Sequence, residues 1–152
     1  MGQFRRKTVR LLFGQMLVWT ACMGGSVDAS VTVRNLNHPG EFSVTNNSAA
    51  DVKLRRKVIV EKQEASGWAA TDADVRLIAT CEEKESGASR LLKRGETLVV
   101  KSWNGWSCDG QCPRPCRANI YLGPGKFRFV VVSSDGKQRF EGQAFSLPAQ
   151  SK

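Results

Sequence analysis

The chain has 152 residues, 24% of them charged, with a formal net charge of +9. That length favours one domain, and no apolar run reaches the ~18 residues of a membrane-spanning helix. The positive balance favours anionic partners or surfaces without naming one.

Residues 1–29 read as an export signal, which leaves 30–152 as the folded domain. Arg5, Arg6, Lys7 and Arg10 form a basic leader, and 11–21 is a short apolar core interrupted by Gln15. Val27-Asp28-Ala29 then offers compact residues for a signal peptidase, with cleavage before Ser30. The alternative for this stretch is an amphipathic helix packed on the domain. Trp19-Thr20-Ala21-Cys22 resembles a bacterial lipobox, which would place a lipid anchor on Cys22 if the chain is not cleaved after Ala29. Trp19 stands where that pattern wants Leu. Arg5-Arg6 is similar to the start of a twin-arginine signal, but Thr8-Val9 does not continue it. Cleavage after Ala29 removes four basic residues and Asp28, so the formal charge falls from +9 to +6.

Cysteine usage agrees with a periplasmic or secreted location. Setting Cys22 aside leaves Cys81, Cys108, Cys112 and Cys116. An even number in an exported chain reads as two disulfides, and three connectivities stay open. Cys-x3-Cys-x3-Cys is not the usual zinc spacing, and His38 is the only imidazole. The reading is therefore disulfides, with no metal and no cofactor.

The remainder reads as short strands separated by turn residues. Val31-Thr32-Val33-Arg34 alternates before Asn37-His38-Pro39-Gly40 breaks it, and 41–45 alternates again before Asn46-Asn47-Ser48. The longest run is 52–61, with Val52, Leu54, Val58 and Val60 on one parity and therefore on one face. Further candidates are 68–71, 75–81 and 97–103, the last preceded by a turn at Lys93-Arg94-Gly95-Glu96. The run 82–89 is polar and is expected at the surface.

The clearest hairpin lies near the end. Phe127-Arg128-Phe129-Val130-Val131-Val132 is β-branched and aromatic, and Asp135-Gly136 suits a type I′ turn. The strand is apolar at nearly every position, which places it centrally, so Arg128 needs a partner or a path to water. On the return, Phe140, Gly142 and Ala144 share one parity while Phe145 and Leu147 take the other. That phase change predicts a bulge between 142 and 145.

Some seven or eight short strands with no helical period predict an all-β fold, an immunoglobulin-like β-sandwich of antiparallel strands. A jelly roll or small barrel is the rival. The order of an Asn-bearing turn, a Gly-Glu turn into a strand ending at Trp103, then Gly-Pro-Gly-Lys-Phe resembles small bacterial immunoglobulin-like modules. It is also similar to proteinase-inhibitor domains of the BsuPI type. The likeness covers about 46–132; the cysteine loop departs from it, and no inhibitory residue is carried over.

No catalytic constellation emerges. His38 sits in a turn between Asn37 and Pro39, and no Ser-His-Asp or Cys-His arrangement can be assembled around it. The expectation is a non-enzymatic binding module. Trp103 is expected in the core. Trp106, Gln111, Arg114 and Arg117, on a crosslinked loop spanning 104–117, combine residue types favoured at binding hot spots, and crosslinking lowers the entropy cost of binding. Arg114, between Pro113 and Pro115, suits a protease-type pocket, so inhibition of a secreted or periplasmic enzyme is the second reading. Lys53, Arg55 and Lys57 line one strand face over roughly 13 Å; they form a candidate anion-binding stripe, or an ordinary solvent face that discourages edge pairing. Nucleic acid is not expected, because the stripe lacks interleaved aromatics. The partner is a protein or an anionic surface.

Overall fold

The computed structural model describes residues 31–77, 89–100, 103–108 and 119–150. The expected export signal, its possible lipid site at Cys22, and the residues Cys81, Gln111, Cys112, Arg114, Cys116 and Arg117 lie outside these. Among the described residues the fold is all-β, with no helix and several antiparallel sheets. There is accordingly no helix here long and apolar enough to cross a membrane.

Eleven strands are present in this part of the chain, more than the sequence predicts. The first sheet joins β1 (Val31–Asn35), β2 (Phe42–Asn46) and β8 (Thr97–Val100), in the order β1-β2-β8. The main sheet is built around β4 (Lys57–Glu64) and β9 (Gly125–Val132), with β5 (Gly67–Ala70) beside β4. A short β6 (Val75–Arg76) also pairs with β4. On the other side of β9 lie β10 (Arg139–Glu141) and β11 (Phe145–Leu147). Finally, β3 (Val52–Arg55) pairs with β7 (Ser89–Leu92).

Period-two alternation supplies the core. Val31, Val33, Phe42, Val44, Leu98 and Val100 of the first sheet share one buried cluster with Val58, Val60, Phe127, Phe129 and Val131 of the main sheet. Phe42 stacks on Phe129 at 4.1 Å between ring centroids, so the two sheets meet through these faces. One common apolar layer between antiparallel sheets is consistent with a β-sandwich. Burying such side chains contributes about 1.5–3 kcal/mol each before conformational entropy is charged against it.

Two local expectations need correcting. The run 52–61 is not one strand: it breaks at Arg56, where β3 leaves for β7 and β4 joins the main sheet. The carbonyl of Arg56 accepts from Leu77 N–H instead of continuing either ladder. Strand β7, which holds Leu91 and Leu92, is not among the strands that the sequence predicts. The β9–β10 connection is not type I′, which requires positive φ at both central residues: Gly136 has φ 76°, but the φ of Asp135 is not positive. Ser133 Oγ and Lys137 N–H both donate to Asp135 Oδ1, and Ser133 N–H bonds Gln138 O. These contacts build a longer loop.

The bulge is where the parity change puts it. Glu141 pairs with Val130, whereas Phe145 pairs with Phe127. The returning chain therefore takes four steps against three on β9, one residue more than its partner. Gly142 N–H bonds Phe129 O at the break.

Candidate functional site

The cysteine loop is carried by a short antiparallel stem. Trp106 bridges Tyr121, Ser107 N–H donates to Ile120 O at 2.9 Å, and Leu122 N–H donates to Gly105 O at 2.8 Å. Side chains extend this ladder: Asn119 Oδ1 accepts from Cys108 N–H, and Ser107 Oγ accepts from Ile120 N–H. Ser107 O also takes Asp74 N–H, which ties the stem to the lead-in of β6. Cys108 is half-buried at the point where the loop departs, and it is disulfide-bonded.

Trp103 fixes the stem to the core. It is fully buried and makes edge contacts with Phe127, Phe129 and Phe145, while its Nε1–H donates to Trp106 O at 2.7 Å. Gly40, at φ 87°, bonds Trp103 N–H through its own carbonyl. A β-carbon there would lie 2.0 Å from Trp103 O, so only glycine allows this approach. The expectation that Trp103 packs in the core therefore agrees with its burial.

Outside this anchor lies an aromatic surface. Trp106 and Tyr121 are both half-buried, with ring centroids 5.7 Å apart, and Ile120, the residue before Tyr121 in the chain, is 61% exposed. Tyr121 Oη–H is held by Pro148 O. Lys62 Nζ reaches across to Leu122 O at 2.7 Å and sits over the Phe127 ring. Of the expected contact residues, Trp106 is here; Tyr121, Ile120 and Lys62 were not foreseen. The trace of Ile120 and Tyr121 in the sequence is the apolar run Ile120-Tyr121-Leu122 ahead of the Gly-Pro-Gly turn, and nothing there points to Lys62.

The basic stripe has a different geometry from the one expected. Lys53 and Arg55 are exposed on β3, but Lys57 is on β4, beyond the break at Arg56. The three do not line one continuous strand. His38 is exposed in the β1–β2 turn, where its carbonyl accepts from Glu41 N–H. Asn46, the first residue of Asn46-Asn47-Ser48, is fully buried: its amide donates to Ala50 O and Leu92 O, and Oδ1 accepts from Ser48.

A second polar constellation crosses the outer face of the main sheet. Arg128 Nε donates to Glu61 Oε2 at 2.8 Å, and its two terminal nitrogens grip Glu141 at 2.6 and 3.1 Å. Arg139 donates to Glu61 Oε1 at 2.6 Å, and the Arg128 guanidinium lies over Trp68, 4.6 Å from the ring centroid. Arg128 thus finds the partners its sequence context demands. Burial pushes the Glu61 carboxyl up, but the hydrogen bonds and charges of Arg128 and Arg139 outweigh it, and the net shift is downward. Every member is engaged within the network, so it reads as a brace across β4, β9 and β10.

No protein-family model, curated protein or solved structure matches the chain.

Proposed function

We propose that the protein is an exported, non-enzymatic binding module of the bacterial periplasm or cell surface. On this reading its fold is an immunoglobulin-like β-sandwich, and its contact surface is the 104–117 loop with the stem beneath it. The observation that carries the proposal is the Trp106–Tyr121 pair with exposed Ile120, set on a stem whose root, Trp103, is fully buried. An apolar surface held on a rigid root loses little conformational freedom when it binds, and Trp and Tyr are the residues that most often dominate such contacts. The disulfide at Cys108 stiffens the same element.

The first step of the test is the intact mass of the protein with and without reduction and alkylation. A chain starting at Ser30 that gains about 4 Da has lost its signal and holds two disulfides. A chain starting at Met1 with free thiols sinks the export reading. The second step places a photocrosslinking residue at Ile120, with Val99, exposed on β8, as the reference position. A discrete adduct formed in the envelope from Ile120 only, and lost in Trp106→Ala, is the expected result. Equal labelling from both positions would reject the surface.

Inhibition of a protease-type enzyme by the same loop is the second reading, favoured by Arg114 standing between two prolines. Dose-dependent inhibition that disappears in Arg114→Ala would select it.

A further inference from the structure

The cations of β3 belong to a larger corner. Ser134 N–H donates to Lys53 O at 2.8 Å, and Leu54 bridges Ser133, so β3 runs beside the loop joining β9 to β10. A β-carbon added at Gly136 would lie 2.5 Å from Arg55 Nη2, which puts that guanidinium against the same loop. Lys53, Arg55 and Lys137 therefore converge, although β3 and the loop are distant in sequence. All three are exposed, and the charge of Lys137 acts on the neighbouring Asp135 carboxylate. The one carboxylate of the loop, Asp135, accepts from Ser133 Oγ and Lys137 N–H.

Edge protection does not account for these charges. Strand β3 has β7 on one side and Ser133–Ser134 on the other, so it offers no long open edge that lysines would need to guard.

The corner and the stem lie at opposite ends of β9. Strand β9 runs from Gly125, beside the stem, to Val132, beside the corner, roughly 23 Å for its eight residues. The chain enters the domain at the corner end. Val31 pairs with Asn46, Asn46 bonds Leu92 O, and Leu92 pairs with Val52 at the start of β3. Trp103 and the stem lie at the other end of β1 and β2, where Asn35 pairs with Phe42 and Gly40 holds Trp103.

We propose that this corner is a peripheral membrane contact. Lys53, Arg55 and Lys137 lie against the phosphate-bearing headgroups of an anionic lipid surface, and the stem at the other end of β9 faces away from the bilayer. A basic side chain near such a surface strengthens partition by about fivefold, so three of them set against the one negative charge of Asp135 amount to roughly twenty-five-fold at low salt, declining as salt rises. The inference does not depend on what the loop binds.

Sedimentation with vesicles tests it, using protein recovered from the envelope with the same amino terminus in every variant. Binding is expected to mixed phosphatidylglycerol and phosphatidylcholine vesicles and not to phosphatidylcholine alone. Combining Lys53→Ser, Arg55→Ser and Lys137→Ser should weaken partition at least tenfold with the melting temperature unchanged. Arg34→Ser with Lys126→Glu removes the same three units of charge from exposed sites outside the corner and should cost under about threefold. Absence of binding to the anionic vesicles overturns the proposal. Equal losses in the two variants overturn it as well, because net charge and not the corner would then be responsible.

Discussion

Glu61 shows how one residue ties strands together. Its carboxylate, side chain 8% exposed, accepts from Arg128 on the neighbouring strand and from Arg139 one strand further on. Because the folded carboxyl titrates below its ordinary value of 4.5, its contribution to stability is fully present above that pH. It is lost as the pH falls below 4.5 and through the lowered folded value. Glu61→Gln should therefore destabilise at neutral pH, by about 1.5–3 kcal/mol if the charge-assisted bonds are lost. The difference between wild type and variant should shrink toward pH 3. Thermal melts at both pH values check this, and a gap that stays constant would assign the brace to hydrogen-bond geometry without charge. The sequence singled out Arg128 as needing a partner, yet could not say which of many carboxylates would serve, since Glu61, Glu141 and Trp68 meet it only through pairing across β4, β5, β9 and β10.

At the scale of elements, legibility followed phase. The bulge was readable because Phe140 and Phe145 sit on opposite parities, and only one extra residue can bring both onto β9 from the same side. The break at Arg56 was not readable: Val52, Leu54, Val58 and Val60 keep one parity across it, and what divides them is a choice of partners, β7 for one half and β9 for the other. The Asp135–Gly136 turn misled for a local reason, since Ser133 and Lys137 engage the Asp135 carboxylate and extend the loop. The stem was hidden similarly, because Trp106 and Tyr121 meet only when the cysteine loop closes. The bulge supplies a test of this reasoning. Deleting exposed Ala144 while keeping Ala144→Ser as a reference forces a one-residue slip, which turns either Phe140 or the Phe145–Leu147 segment outward. Urea denaturation should show a loss of at least about 2 kcal/mol for the deletion and little change for the serine. A deletion as stable as the parent would mean that β11 owes little to its register.

The whole molecule has two ends that differ in chemistry. One presents Trp106, Tyr121 and Ile120; the other presents Lys53, Arg55 and Lys137; and the rigid, doubly flanked β9 connects them. Held apart along β9, each can be occupied without displacing the other, provided the membrane takes the basic end. Backbone hydrogen exchange followed with and without phosphatidylglycerol vesicles reads this orientation directly. Amides of 53–55 and 134–137 should exchange more slowly in the presence of vesicles, while those of 103–107 and 120–122 should keep their rates. Protection at the stem with none at the corner would reverse the orientation, and the aromatic surface would then be the membrane-facing one. Uniform slowing over both ends would point instead to general stabilisation of the fold, which local opening at the two ends would report equally.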